Sequence, residues 1–234
     1  MKQFVLLMII LVFLSSCLNV LAKKTGVKKR SPVLTEIKCP DHEVIFMGMR
    51  HLGKQEFYDN ARKIIIDLKN KGFVIYAESA ATIIDNKIIL DTTYAKKARK
   101  IIGIDVSVSS DSINNSVLRA LVSKFKLVEQ PGYAELGAED RIIVDVPYER
   151  LIDSFEKKYG EIILDSCDIN TNLGVLYNCF MVPKTSREIF SREYLLDERN
   201  KIISQKVKSS PDKKILLIYG LNHLKGIKEF LETN

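Results

Sequence analysis

The sequence of 234 residues contains no tryptophan, only three histidines and only four cysteines. No two cysteines form a Cys-x-x-Cys pair, which argues against a zinc ribbon or a thioredoxin-type site. Basic residues are mixed with acidic ones and form no stripe with aromatic residues, so nothing indicates a nucleic-acid partner. The chain is 46% apolar and 28% charged, with a formal net charge of +7. This composition excludes collagen-like, low-complexity and disordered chains and is typical of a globular protein.

Long apolar runs are also lacking, apart from one of eleven residues at positions 4–14. A spanning helix needs about 20 residues, whereas a basic start followed by a short apolar run is typical of an export signal. The residues that follow, Leu14-Ser15-Ser16-Cys17, resemble a bacterial lipobox, where the chain is cut before a cysteine that receives lipid. We therefore predict a signal peptide at residues 1–16, lipidation of Cys17 and a location in the bacterial cell envelope, on the outer membrane or its periplasmic face. The alternative is an ordinary secretory signal, cut after Ala22, and a secreted protein.

The segment between the predicted lipid and the folded domain is basic. Residues 23–32 contain five positive charges and show no periodicity. We interpret residues 17–40 as a lipidated N-terminus with a solvated tether, although a basic run beside a lipid could also touch anionic headgroups. One domain is predicted at residues 41–234. The remaining cysteines, Cys39, Cys167 and Cys179, are interpreted as buried structural thiols, with Cys167 and Cys179 as the nearest pair for a disulfide.

Apolar patterning along the domain alternates between strands and helices. Apolar runs predict buried strands, and residues 55–69 place their apolar side chains on one helical face. A strand, a helix and a second strand within about 35 residues form a β-α-β unit, which implies a parallel sheet. Residues 83–89 fit either a hairpin or part of a helix. We predict an α/β fold with a mostly parallel central sheet, flanking helices and a helical insertion or cap in the middle. The predicted strands are 44–47, 73–77 and 214–219, and the predicted helices are 55–69, 94–102, 116–125, 148–159, 226–232 and an interrupted helix at 186–207.

Two similar turns hold two of the three histidines. Gly48 and His51 belong to one Gly-x-x-His-Leu motif, and Gly220 and His223 belong to the other. Each motif follows an apolar strand, so we expect both histidines at the carboxyl edge of a parallel sheet, where ligands bind in such folds. Glu78 ends the second predicted strand and belongs to the same edge. If the two turns occupy equivalent places on neighbouring strands, they bring the two imidazoles together beside this carboxylate.

Two histidines and a carboxylate are a common ligand set for a catalytic metal. Such a set suits a divalent metal such as manganese, cobalt or zinc, with iron also compatible. The competing interpretation is that each histidine is a hydrogen-bonded structural residue. His42 has no comparable context and is expected in an exposed loop. Arg50 lies inside the first motif and is interpreted as a solvated neighbour rather than an anion contact.

Several short segments together resemble the TraB/PrgY/GumN family, which is related to the Tiki proteins and to the erythromycin esterase/ChaN-like fold. The family pattern consists of two Gly-x-x-His motifs, a glutamate after the second strand and an arginine, often Arg-Asn, before the last strand. Here the glutamate is followed by Ser79 where the family often has glycine, and the carboxyl-terminal membrane segments of the TraB/PrgY branch are absent. The matching segments are 48–53 with Phe57 and Tyr58, 76–78, 198–200 and 220–227.

The resemblance implies roles for residues of this chain. His51, Glu78 and His223 would form the metal site, with Glu78 as a ligand or as the general base of catalysis. Arg199, supported by Asn200, would stabilise negative charge on a substrate or transition state. Tiki proteins are described as metal-dependent proteases, so the resemblance implies an envelope hydrolase with a peptide as substrate. The alternative is a non-catalytic lipoprotein that binds a metal, haem or a peptide at the same site. A structural envelope protein with a degenerate site is a third possibility.

Overall fold

The computed structural model describes residues 18–79, 82–84, 87–89, 91–103 and 116–233. The predicted signal peptide of residues 1–16 and the predicted lipidation site at Cys17 lie outside these residues. Within the described ranges, no helix is long and apolar enough to cross a membrane. The strands are β1 (Val33–Cys39), β2 (His42–Met49), β3 (Leu52–Gly53), β4 (Val74–Ala77), β5 (Thr82–Ile84), β6 (Lys87–Ile89), β7 (Val128–Glu129), β8 (Ile142–Ile143) and β9 (Lys214–Gly220).

Helices connect these strands and cover the sheet. A π-helix (Phe190–Glu198) and a 3-10 helix (Leu221–His223) precede the last two α-helices. The α-helices are α1 (residues 18–25), α2 (Gln55–Asn70), α3 (Thr92–Ile102), α4 (Ser116–Phe125), α5 (Tyr148–Tyr159), α6 (Ser166–Asn170), α7 (Lys184–Ile189), α8 (Arg199–Lys208) and α9 (Leu224–Glu232).

The central sheet has five strands in the order β1-β2-β9-β4-β8. Strands β2, β9, β4 and β8 are parallel to one another, and β1 pairs antiparallel with β2 at one edge. The sheet is therefore mixed, and the general prediction of an α/β protein with flanking helices is confirmed. Strand β9 lies between β2 and β4, the two strands of the predicted β-α-β unit. Its residues 215–219 are all buried, as expected for a central parallel strand that is covered on both faces.

Helices pack on both faces of the sheet because the strand side chains alternate. On one face, Met47 and Ile218 pack against the apolar stripe of α2, which buries Phe57, Ala61 and Ile65. The other face packs against α8 and α9 through a separate cluster. Burial of these side chains removes apolar surface from water, which is the main favourable term in folding. The members of that second cluster include Phe46, Leu217, Tyr219, Ile203, Val207, Ile227 and Leu231.

The structured domain begins earlier than the predicted boundary at residue 41. All seven residues of β1 pair with β2, from Val33 opposite Gly48 to Cys39 opposite His42. Residues 18–25 are helical, and the Ala22 side chain is fully buried in a cluster with Leu121 and Leu127. Helix α1 and strand β1 therefore belong to the folded structure, whereas the basic side chains at residues 23, 24 and 28–30 are exposed, as predicted for this segment.

The middle of the chain forms its own packed unit. Helices α3 and α5 and the π-helix share a cluster that contains Phe155, Phe190 and Tyr194. In the ambiguous segment 83–89, the described residues belong to two strands, since β5 pairs antiparallel with β6, as the hairpin alternative predicts. The predicted interrupted helix is confirmed, and the interruption is the π-helix between α7 and α8.

A disulfide joins Cys167 to Cys179. Cys167 is exposed and Cys179 is half-buried, so the interpretation of these two as buried thiols is wrong. Beside the disulfide, Lys100 contacts the fully buried carboxylate of Asp168, which also accepts a hydrogen bond from Tyr177 at 2.6 Å. Cys39 is a free, half-buried thiol, and burial raises its pKa.

Candidate active site

The two Gly-x-x-His turns lie at the same edge of neighbouring parallel strands, but they are not equivalent. Met49 of the first motif pairs with Gly220 of the second, so the motifs are offset by one residue. Because side chains alternate along a strand, this offset directs corresponding positions to opposite faces of the sheet. At residue 48, a Cβ atom would lie 2.8 Å from Leu221 Cδ1, so Gly48 makes room for the second turn.

The chain also leaves the two turns differently. After His51 it enters β3, which pairs with β7, and the His51 carbonyl accepts a hydrogen bond from Gln130 N at 2.9 Å. After Gly220 it forms the 3-10 helix and continues directly into α9. As a result His51 is exposed, whereas only 4% of His223 is accessible. The prediction that the two histidines occupy equivalent places is wrong.

Glu78 lies at the centre of the cluster that the structure does assemble. Its Oε2 accepts a hydrogen bond from Gly220 N at 2.7 Å, and its Oε1 accepts one from Arg199 Nη2 at 2.9 Å. His223 Nε2 lies 3.5 Å from the same Oε1. Tyr133 donates to the Glu78 carbonyl oxygen at 3.0 Å. Glu78 thus joins β4 to β9 and α8 at the carboxyl edge of the sheet.

Arg199 is held between two carboxylates. Its Nε donates to Asp145 Oδ1 at 2.8 Å and its Nη2 donates to Asp145 Oδ2 at 2.7 Å, which is the bidentate geometry favoured by arginine. A third donor, Nη1, reaches the carbonyl of Leu195 in the π-helix at 3.3 Å. The Asp145 side chain is fully buried and also accepts hydrogen bonds from Ser79 N and Val146 N. These contacts make Arg199 a residue that positions Glu78.

Asn200 orients the imidazole of His223. Asn200 Oδ1 lies 2.7 Å from His223 Nδ1, and both side chains are buried. An amide oxygen only accepts, so Nδ1 carries a proton and donates it, which turns Nε2 toward Glu78. The approach of α8 to α9 requires Gly226, because a Cβ atom there would lie 2.2 Å from Asn200 Nδ2. Resemblance alone had linked Asn200 to the site, and the structure brings it into direct contact with His223.

Burial and neighbouring charges act in opposite directions on the ionisation of this cluster. Burial raises the pKa of Glu78, but the hydrogen bond with His223 and the charge of Arg199 outweigh burial and hold this pKa well below its usual range. Burial lowers the pKa of Arg199, while the hydrogen bonds and charges of Asp145 and Glu78 raise it beyond its ordinary value. Both groups are therefore ionised at neutral pH.

The ionised state of Glu78 predicts an acid-dependent loss of stability. A carboxylate with a depressed pKa stabilises the folded state above its unfolded pKa of about 4.3, and this contribution is lost as the pH falls. Glu78→Gln should therefore unfold more easily than the parent protein at pH 7, and the difference should shrink at acidic pH. Denaturant unfolding from neutral to acidic pH checks this, with the exposed Glu56→Gln as a control for the substitution itself. A difference that stays constant over the whole range would contradict the prediction.

Sequence reasoning missed Asp145. It follows Val144, which continues from β8, so it lies at the same strand edge as Glu78. The rule that placed Glu78 at a strand end could have found Asp145, but β8 has only two residues and the apolar run at 142–144 is too short to stand out as a strand. Gly226 was visible in the sequence as part of the second motif, but its contact with Asn200 depends on the packing of two helices.

The other histidine and Arg50 have structural contacts. His42 is half-buried at the start of β2, with Nε2 3.1 Å from the Ser210 carbonyl oxygen, so the expectation of an exposed loop residue is wrong. Arg50 Nη1 donates to the Thr25 carbonyl at 3.0 Å, and its guanidinium lies over the Phe57 ring. Arg50 is therefore a link to the amino-terminal segment and not a solvated neighbour.

The donor atoms of the cluster fit part of a metal site. Two ligands of a tetrahedral zinc ion, each at roughly 2.1 Å, lie about 3.4 Å apart. The 3.5 Å between His223 Nε2 and Glu78 Oε1 matches this separation. In the part of the chain that the structure describes, no group of three or more His, Cys, Asp or Glu side chains is placed to hold a metal. His51, the third predicted ligand, is exposed, and no described hydrogen bond or ion pair joins its side chain to Glu78 or His223.

No family model, curated protein or solved structure matches the chain. The functional argument therefore depends on the residues of the site and their contacts.

Proposed function

We propose that the protein is a lipid-anchored envelope hydrolase, peptidase-like and dependent on a divalent metal, with its site at the carboxyl edge of the sheet. The observation that supports this most is the pair formed by His223 Nε2 and Glu78 Oε1, which lie 3.5 Å apart. Asn200 holds His223 in place through Nδ1, and Arg199 holds Glu78 in place through Oε1. Fixed supporting residues of this kind orient metal ligands in proteins. The resemblance to the TraB/PrgY/GumN family, and with it an erythromycin esterase/ChaN-like fold, is part of the same proposal.

Each residue has a defined task in this proposal. His223 and Glu78 would hold the metal, and His51 would complete the set by turning from its exposed position toward the same edge. A bound divalent ion supplies a Lewis acid and lowers the pKa of a bound water. Asn200 keeps the proton of His223 on Nδ1, so that Nε2 remains the ligand atom. Arg199, which Asp145 holds in place, keeps Glu78 ionised and oriented.

Elemental analysis of the purified full chain tests the site. The parent protein, incubated with manganese, cobalt or zinc and then dialysed, should retain about one ion per chain. His223→Ala should lose it, and His51→Ala should weaken binding. His42→Ala is the matched control, since His42 contacts Ser210 rather than this edge, and should retain the ion. Absence of metal from the parent, or equal metal in His223→Ala, would overturn the metal site.

A screen of peptide and ester substrates then separates the two functions. Turnover by the loaded parent that disappears in His223→Ala supports the hydrolase. Stoichiometric binding without turnover would instead support the alternative, a non-catalytic lipoprotein that binds a metal, haem or a peptide. Incorporation of labelled palmitate, lost in Cys17→Ser, tests the proposed anchor independently.

A further inference from the structure

The amino-terminal segment is fastened to the domain at the edge of the sheet that holds the candidate site. Helix α1 and the following turn bury Ala22 and Val27 against Leu121 and Leu127 of the α4 region. Arg50, directly after β2, donates to the Thr25 carbonyl at 3.0 Å. Gly26 has φ +66°, and a Cβ atom there would lie 2.8 Å from Arg50 Nη1. The segment therefore has a defined position on the domain.

Positive charge is concentrated where α1 and α4 meet. Residues 18–35 contain five basic residues and no acidic one, and residues 116–128 contain three basic residues and no acidic one. Lys28 and Lys124 approach the same ring, with their Nζ atoms 4.5 and 5.6 Å from the centre of Phe125. This contact joins the two basic segments into one surface. We name it the basic face, and its exposed lysines are Lys23, Lys24, Lys28, Lys29, Lys124 and Lys126.

The chain that precedes this surface is apolar. Residues 4–14 form the eleven-residue apolar run, and three residues separate it from the first described residue of α1. Because residues 1–16 are predicted to be cut off, the proposed lipid on Cys17 would take the place of this run and hold α1 within a few residues of the headgroups. Clusters of lysine beside such an anchor are attracted to anionic lipid headgroups.

From this combination we propose that the basic face binds the anionic surface of a phospholipid bilayer and fixes the orientation of the domain on it. The occupant is the bilayer because the proposed lipid on Cys17 directly precedes α1 in the chain, and because acyl chains enter the bilayer interior while lysines are attracted to its anionic headgroups. This inference rests on the lipid anchor of the proposed function and is independent of the hydrolase site.

The absence of tryptophan from the chain makes a single-tryptophan experiment unambiguous. Ser123→Trp places the probe beside Lys124 on the basic face. Ser209→Trp is the matched control, since residue 209 is exposed after α8 and adjoins Ser210, which contacts His42 at the opposite end of β2. The full chain is added to vesicles of phosphatidylcholine, with or without phosphatidylglycerol, that contain brominated acyl chains, which quench tryptophan near the bilayer.

We expect quenching of Ser123→Trp that increases several-fold when phosphatidylglycerol is present and that falls in about 0.5 M salt, where charges are screened over a few ångströms. Ser209→Trp should remain unquenched in both kinds of vesicle. The substitutions Lys24→Glu, Lys28→Glu and Lys126→Glu, added to Ser123→Trp, should abolish the phosphatidylglycerol effect, and the neutral Gln versions should reduce it.

Three results would overturn the proposal. They are equal quenching in neutral and anionic vesicles, a phosphatidylglycerol effect that survives charge reversal, and an unquenched Ser123→Trp on vesicles that have bound the chain. The last result would assign the basic face to a partner other than the bilayer. Circular dichroism of the charge-reversed chains verifies that they remain folded.

Discussion

Asp145→Ala should lower the free energy of unfolding by about 3–5 kcal/mol, because it leaves the buried guanidinium of Arg199 with only one of its two carboxylate partners. Arg199 is 5% exposed and makes two hydrogen bonds with Asp145. The substitution also removes the acceptor for Ser79 N and Val146 N, which hold the chain at the ends of β4 and β8. Chemical denaturation, with the folded fraction followed by circular dichroism, measures the change.

The matched control is Asp140→Ala. Asp140 also forms an ion pair, with Lys69 at 2.7 Å, but its side chain is 63% exposed. Exposed pairs contribute about 0–1 kcal/mol, so this variant should lose little stability. Asp145→Asn keeps the size of the side chain and loses its charge, so its loss of stability should lie between those of Asp145→Ala and Asp140→Ala. Equal losses in Asp145→Ala and Asp140→Ala would contradict the structural role of the buried pair.

Gly226→Ala should destabilise the protein by about 1–3 kcal/mol, in the opposite direction to the usual effect of this change in a helix. Alanine is normally favoured over glycine within a helix by about 1 kcal/mol. Here the added methyl group would lie 2.2 Å from Asn200 Nδ2, which is far inside van der Waals contact. To relieve this overlap, α8 and α9 must separate or Asn200 must turn away from His223. The same variant should therefore bind metal more weakly, measured by the dialysis assay.

Gly132→Ala provides the comparison for Gly226→Ala. A Cβ atom at residue 132 would make an ordinary contact of 3.4 Å with Glu135 Oε1, so this variant should unfold like the parent. A Gly226→Ala protein that is as stable as the parent, with unchanged metal binding, would show that α9 can shift without cost.

Local patterns predicted the elements that are long or fully buried. The apolar stripe of α2 and the continuous apolar run of β9 can be recognised in the sequence without the tertiary structure. Strand β1 was missed because it buries only Ile37 and follows a basic stretch that is typical of a linker. Its place depends on pairing with β2, which no local pattern indicates.

The candidate site was predicted only in part, because the rest of it also depends on how distant strands pair. Glu78 and His223 follow strands that are evident in the sequence, and the structure brings them together. The different environment of His51 depends on a one-residue offset between β2 and β9 and on the pairing of β3 with β7. Both are properties of strand register and long-range pairing, so two identical motifs in the sequence could not reveal them.

The arrangement of Arg199 between two carboxylates has a consequence for which ligands the site attracts. The single positive charge of the guanidinium faces both Asp145 and Glu78, so one negative charge stays uncompensated within the group of three. In a buried environment such a charge creates a potential that favours cations and repels anions. A divalent metal ion bound beside Glu78 and His223 Nε2 would therefore balance the charge that Arg199 leaves uncompensated.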